Sequence, residues 1–387
     1  MAEGWHNISI PDFLFNYGGG FLRRGLGGEI IFFFQENFHI PAVVFINTCC
    51  ILSYICLAWI VIKLFLKRGY ALNVLILGCT LGGILINHLI TFRRDYLELL
   101  LLAVTLIMYR RTDLKKWIIG GNLIMAFALL LHESTFFFSV PALIIITRIR
   151  VESLFKSIVY WLPCILVFIL CCIFSGSQDA LSATLERAAS YAPQAFENGD
   201  TPYLLRFIGQ NSGEVFKMHF SWNFSEMDII GSVKVPRAVF TLFYYIFIPY
   251  MTVAMLMAFT SKRMSSDKIC GLVGIIVFQF TCLLPMFTVL SCDIARLAIY
   301  WMMSSLLIWL VLNESEYVNM FCHSYNKIIE KTTIKIFFLW LPGRFVLTLL
   351  ALCIGITFTR PSLEGLFNSS IIYYFYFGIY RMLLPFI

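Results

Sequence analysis

Residues 91–141 read TFRRDYLELLLLAVTLIMYRRTDLKKWIIGGNLIMAFALLLHESTFFFSVP, and this stretch decides the fold. A charged cluster, Arg93-Arg94-Asp95, opens an apolar segment that ends at a basic turn of Arg110, Arg111, Lys115 and Lys116. A second apolar segment runs to His132-Glu133-Ser134 and continues through Phe136, Phe137 and Phe138 to Pro141. Two apolar segments joined by a basic turn predict a helical hairpin through a membrane. Such a hairpin returns His132 and Glu133 to the face from which Asp95 departs.

The rest of the chain has the same character. Of its 387 residues, 60% are hydrophobic and 13% charged, with a mean hydropathy of +0.83. A soluble domain carries about 25% charged residues. The apolar residues gather into blocks of about 16 to 24, the length of a helix that crosses a bilayer. Backbone groups in lipid must bond to one another, and no alternating strand pattern is visible, so helices are the expected elements. Predicted spans cover 41–62, 71–90, 96–109, 117–131, 135–147, 157–174, 238–260, 269–290, 295–312, 336–358 and 371–387. The third to fifth are short, and the last reads equally as re-entrant or interfacial. The expected fold class is therefore all-α, a multi-spanning helical membrane protein of about 10–11 transmembrane helices.

No basic n-region precedes a short apolar core, so no cleavable signal peptide is expected. Cys49, Cys50, Cys56, Cys79, Cys164, Cys171, Cys172, Cys270, Cys282 and Cys353 all fall in apolar spans. There they act as small hydrophobes and not as a disulfide framework. The chain has no CxxC pair, metal-ligand spacing, P-loop or dinucleotide fingerprint, so neither a metal nor a cofactor nor a nucleic-acid partner is expected.

Loop charge sets the orientation, because cytoplasmic loops collect Lys and Arg. Loops 63–70, 110–116, 148–156, 261–268 and 313–335 together hold 16 basic and 6 acidic residues. The alternate set, 1–40, 91–98, 132–134, 175–237, 291–296 and 359–370, holds 11 basic and 16 acidic. The first set is expected in the cytoplasm and the second outside, which in a bacterium is the periplasm. Four regions follow: an outer-face N-terminal segment 1–40, a transmembrane bundle 41–174, a periplasmic loop 175–237 and a second bundle 238–387. The long loop carries aromatic residues (Tyr191, Tyr203, Phe207, Trp222) and is expected to fold over the bundle. An outer N-terminus of this length implies either re-entry into the membrane or an upstream span beyond this chain.

The candidate site residues all map to the outer face. Arg93-Arg94-Asp95 fits an interfacial anchor, or a clamp for phosphate or pyrophosphate, whose oxygens guanidinium groups bind bidentately. His132-Glu133-Ser134 stands at membrane depth, where ionisable residues are costly and mark function. Burial there would raise the pKa of Glu133 and lower that of His132, towards general acid–base use. The bland alternative is a polar helix end paired with a nearby Arg. Asp293 and Arg296 stand three apart on one helix side and can pair with each other or serve the site. Tyr17 to Glu29, YGGGFLRRGLGGE, carries Arg23 and Arg24 in a glycine-rich turn, either an anion-binding nest or a juxtamembrane turn. His88 is a minor candidate. Arg344 after Pro342-Gly343 keeps a transport function open.

The run FRRDYLELLLLAV…RRTDLKK…ALLLHESTFFFSVPALII resembles the hairpins of bacterial polysaccharide polymerases of the Wzy and EpsG-like kind. GGFLRRGLGGE and SCDIAR are similar to segments of GT-C-like membrane proteins of surface-polysaccharide loci. The chain departs from the polymerase pattern in lacking a convincing pair of matching arginine-rich outer loops. The resemblance implies a GT-C-like bundle with one large periplasmic loop, in the bacterial inner membrane. It implies a metal-independent glycosyltransferase that polymerises oligosaccharide repeat units carried on undecaprenyl pyrophosphate. Its partners would be that lipid-linked oligosaccharide, the lipid bilayer, a chain-length regulator and a flippase. It assigns the base to His132 or Glu133. Arg93, Arg94, Arg296, Arg23 and Arg24 would hold the pyrophosphate, and Asp95 and Asp293 would orient those arginines or act as base. The alternatives are a GT-C enzyme adding one sugar from a polyprenyl-phosphate donor, with Asp95 or Glu29 as base, and a lipid-linked glycan flippase or transporter.

Overall fold

The structure is a computed structural model that describes residues 10, 13–69, 94–174, 177–193, 217, 227–230, 233–236, 266–290 and 294–322. The predicted spans 71–90, 238–260, 336–358 and 371–387 lie outside the described residues, as do His88, Arg93, Asp293 and Arg344. The chain divides into two compact units, Met1–Leu57 with Leu89–Val215 and Ala58–His88 with Phe216–Ile387. Among the described residues helices dominate both, and the second unit adds an antiparallel pair of short strands, β1 (Met227–Ile230) and β2 (Val233–Pro236), in register Met227 to Pro236.

The first unit contains α1 (Gly25–Phe38) and the start of α2 (Ala42–Lys67). It continues with α3 (Asp95–Arg111), α4 (Leu114–Leu131) and α5 (Thr135–Val151). A bent pair, α6 (Leu154–Tyr160) and α7 (Leu162–Ile173), precedes α8 (Gln178–Tyr191). The predicted spans 96–109, 117–131 and 135–147 sit inside α3, α4 and α5. At 17 or 18 residues each, these three are about 26 Å long, just under the bilayer's hydrocarbon thickness.

They run alternately up and down. Asp113 caps α4 by accepting the Lys116 N–H at 2.8 Å. The Trp117 indole donates to Thr105 O at 2.9 Å, locking α4 antiparallel to α3. At this basic end Arg150, from the last turn of α5, donates to the Tyr109 and Thr112 carbonyls and lies 4.1 Å over the Tyr109 ring. Positive charge near helix C-termini is favourable. The other end of the three helices holds Arg94, Asp95, His132 and Glu133.

The stretch expected as one span, 157–174, is broken. α6 and α7 meet at 60° about Trp161. Pro163 opens α7 and withholds a backbone donor, and a residue before proline resists helical geometry. Trp161 is fully buried; its indole donates to Thr147 Oγ1 at 2.7 Å and packs edge-on to Trp117 at 5.7 Å. The elbow thus wedges between α4 and α5.

Three described helices are long and apolar enough to cross a membrane: Ala42–Lys67, Leu114–Leu131 and Asp267–Thr288. The bent pair makes a fourth if counted as one span. α2 presents Val44, Ile51, Leu52, Ile55, Trp59, Ile62 and Leu66 outward, a continuous apolar face suited to lipid.

In the second unit α9 (Ser266–Pro285) runs through a π-helical turn, Met286–Leu290, towards α10 (Ile294–Val311). The Trp301 indole donates to Ile276 O at 2.7 Å and ties α9 to α10. Arg68, beyond the end of α2, donates to the Trp309, Leu310 and Leu312 carbonyls, capping the C-terminus of α10. The described cysteines, Cys49, Cys50, Cys56, Cys164, Cys171, Cys172, Cys270 and Cys282, are free thiols.

Candidate active site

The site forms where the turn before α1 meets the junction of α4 and α5. Helix α4 ends at His132, whose extended backbone (φ −161°, ψ 120°) breaks the helix before α5 starts at Thr135. This break carries Glu133 out of the helical stack. Arg24 approaches from the other side. It precedes α1 in the left-handed region (φ 69°), a conformation that costs an ordinary residue about 1–3 kcal/mol. Backbone strain of that kind persists only where surrounding contacts hold it.

The contact here is a fork. Arg24 Nε donates to Glu133 Oε2 at 2.9 Å and Oε1 at 3.1 Å, and Nη2 donates to Oε1 at 2.6 Å. Arg23 Nη1 stands 4.0 Å from the same Oε1. All three side chains are partly reachable from solvent, at 23%, 20% and 17% for Arg23, Arg24 and Glu133. Beside them His132 is buried, and its Nδ1 accepts the Ser134 N–H at 3.1 Å while lying 3.9 Å from Glu133 Oε2. That backbone bond assigns the Nδ1 lone pair, so the neutral ring carries its proton on Nε2 and acts as a donor.

Burial would push Glu133 up, but the Arg24 guanidinium, with Arg23 behind it, outweighs it and holds the carboxyl well below the usual range. The direction is opposite to the one expected from membrane depth alone, because the arginines come from a segment 109 residues away. A depressed carboxyl adds stability above its unfolded-state pKa and loses it as pH falls through the folded value. Wild type is therefore expected to be more stable than Glu133→Gln between pH 6 and 8. That advantage should shrink steadily below about pH 4.3, as read from unfolding midpoints of both proteins. A constant gap down to pH 3 would dismiss the charged pair as its source.

Arg94 is more deeply placed. Its Nη1 donates to Leu131 O, the last carbonyl of α4, at 2.7 Å, and its guanidinium lies 5.5 Å from the Phe13 ring. Arg94 thus seals the end of the hairpin from inside. Asp95 opens α3 and is buried at 2% exposure, near the favourable N-terminal end of the helix dipole. One turn on, Glu98 is fully buried and accepts from the Thr135 hydroxyl at 3.1 Å. Glu98 is absent from the candidates drawn from sequence. Its one signal there is the three-residue spacing from Asp95, which shares a helix face.

The glycine-rich turn proves to be a packing device. Gly18, Gly20, Gly25 and Gly28 donate their N–H groups to Asn16 Oδ1, Tyr17 O, Leu22 O and Phe15 O. Those donors are spent within the protein and do not form an anion nest.

Helix α8, from the predicted 175–237 loop, clamps this turn. Ala180, Thr184, Ala188 and Ala192 recur every four residues along its buried face. Asn16 and Thr184 exchange hydrogen bonds of 3.1 Å. Arg187 pairs with Glu29 at 3.0 Å and Glu36 at 3.3 Å, and Tyr191 donates to Glu36 at 2.5 Å. Glu29 also accepts the Tyr17 N–H at 2.7 Å, so it works as a brace for the arginine turn.

The structure brings Arg23, Arg24, Arg94, Asp95, His132 and Glu133 to one end of the first unit. Arg93 and Asp293 lie outside the described residues, and the Arg296 side chain is not described. Among the described residues no group of three or more His, Cys, Asp or Glu is placed to hold a metal ion. Chemically the cluster offers two adjacent guanidinium groups, a carboxylate between them, an imidazole donor and buried carboxylates behind. Comparison of the chain with protein-family models, curated proteins and solved structures finds no match.

Proposed function

We propose that the chain is a membrane glycosyltransferase that polymerises oligosaccharide repeat units carried on undecaprenyl pyrophosphate. In this proposal it works at the outer face of the bacterial inner membrane, as a GT-C-like bundle of about 10–11 spans under the 175–237 loop. A chain-length regulator and a flippase would be its working partners. The observation that carries the proposal is the convergence of Arg23 and Arg24 on Glu133, beside His132, at the end of the hairpin away from its basic turn. Paired guanidinium groups in a partly dry site suit a departing pyrophosphate, whose charge grows as the glycosidic bond breaks.

In this proposal the roles divide among the clustered residues. An acceptor hydroxyl attacks the anomeric carbon of the lipid-linked glycan. The carbon–oxygen bond to pyrophosphate breaks, with its electron pair staying on the pyrophosphate oxygen. Arg24 and Arg23 stabilise that oxygen, and His132 Nε2–H is a further donor. The acceptor's proton goes to the Glu133 carboxylate, since the His132 Nδ1 lone pair is occupied by Ser134 N–H and Asp95 is buried at 2% exposure.

The test is a gel of surface polysaccharide from a strain lacking the protein, complemented with wild type, Arg24→Lys or His132→Ala, with protein levels checked by blot. Wild type restores a ladder from a single-repeat band, and both variants shorten or abolish it at normal protein level. A full ladder from both variants would remove these residues from the reaction. A ladder persisting in the deletion strain would reject polymerisation in favour of single-sugar transfer.

A further inference from the structure

We propose that Glu133 is a built-in stand-in for the ligand's phosphoryl group: it fills the Arg24 fork in the resting protein, and an incoming pyrophosphate takes its place. The ligand's chemistry rests on the glycan-transfer function proposed above. The exchange itself rests on the arrangement of Arg24, Arg23 and Glu133.

Arg24 engages both carboxylate oxygens through Nε and Nη2, the same edge a guanidinium uses to grip two oxygens of a phosphate. Arg23 reaches towards the same carboxylate but stops at 4.0 Å, beyond hydrogen-bond range. Glu133 thus engages Arg24 by hydrogen bonds and Arg23 only at 4.0 Å. A pyrophosphate brings more charge and more acceptor oxygens to the same spot. Among the described residues the site is open on that side: Arg23, Arg24 and Glu133 are each about one-fifth exposed, whereas Arg94, Asp95 and Glu98 are closed off at 4%, 2% and 0%. Glu133 sits in the short break between α4 and α5, where its side chain can swing without unwinding either helix.

Displacement has a chemical consequence. A carboxylate released from its guanidinium in a partly buried site gains proton affinity, because desolvation then dominates. Glu133 becomes a competent base only when pyrophosphate occupies Arg24, so donor loading and base activation are one event. In the ensuing step the acceptor proton passes to the Glu133 carboxylate while the pyrophosphate keeps the bonding pair.

The exchange is tested by calorimetric titration of inorganic pyrophosphate into the purified full chain in nanodiscs at fixed salt. A ligand that must displace an internal competitor binds with its affinity reduced by the unmasked fraction. If that fraction is about one-tenth, Glu133→Gln tightens binding about tenfold. Glu133→Asp, which shortens the carboxylate and loosens the fork, tightens it by less, and Arg24→Ala abolishes it. Equal or weaker binding in both Glu133 variants would overturn the exchange, as would no binding to wild type and Glu133→Gln alike. Undecaprenyl pyrophosphate in the same nanodiscs should compete with inorganic pyrophosphate. If it does not compete while Glu133→Gln still tightens binding, the ligand is a soluble phosphoryl anion; the exchange stands and the lipid-linked glycan function falls.

Discussion

Arg24→Ala is expected to lower the unfolding free energy by about 3 kcal/mol, because it leaves the Glu133 carboxylate partly buried beside a fork that no longer exists. Side-chain exposures of 20% and 17% leave this pair partly buried, where screening by water is reduced. Breaking one partner of such a pair costs more than the pair itself is worth, since the survivor's desolvation goes uncompensated. Glu133→Ala should therefore cost less than Arg24→Ala, as water at the exposed side of the site can still hydrate the freed guanidinium. The double variant should cost about 2 kcal/mol less than the sum of the singles. Reversible unfolding of the four proteins in mixed micelles measures the coupling. Strict additivity would mean that the fork contributes nothing, and the left-handed backbone at Arg24 would then need another support.

The second large effect separates two neighbouring glycines on α1. A Cβ at Gly28 would stand 2.2 Å from Phe15 O, 2.7 Å from Phe15 C and 2.8 Å from Leu14 O, all backbone atoms. Gly28 N–H also donates to Phe15 O at 3.0 Å, so α1 cannot retreat without losing that bond. Gly28→Ala should destabilise the unit by about 3 kcal/mol, shift the arginine turn and weaken the Arg24 contact with Glu133. Gly27 is different: its nearest neighbours to an added Cβ are Phe13 O at 3.5 Å and a Leu131 methyl at 3.6 Å, ordinary contact distances. Gly27→Ala gains helix propensity and should stabilise by about 0.5–1 kcal/mol. Thermal unfolding of the two variants decides the matter by sign alone. Equal effects would contradict the close approach of residues 14–15 to α1.

The sequence by itself determined that the described elements would be mainly apolar helices, and where α3, α4 and α5 begin and end. Apolar runs bounded by charge can only be helices in lipid, and the edges of α3, α4 and α5 fall where Asp95, the Arg110-to-Lys116 turn and His132-Glu133 interrupt them. The hairpin follows too, because a turn too short to wander forces its helices antiparallel. Long-range pairing was not legible. Nothing local in YGGGFLRRGLGGE tells Arg24 that its carboxylate lies 109 residues ahead, or tells Arg187 that it will brace Glu29 from 158 residues away. Composition gives the energy of a residue's solvent; a pair depends on where two backbones end up.

The direction of the Glu133 pKa belongs to the same class, since burial alone would raise it and only converging arginines reverse the sign. So does the elbow at Trp161. Its hydropathy reads as one unbroken span, but Pro163, two residues after a tryptophan with a buried bond to Thr147, stabilises a bend. Glu98 was hidden for a related reason: next to Asp95 it looked like loop charge, and only the packing of α5 against α3 brings Thr135 to it. Solvent preference is additive along a chain and so can be read from it. Convergence is not additive, and it required the tertiary structure.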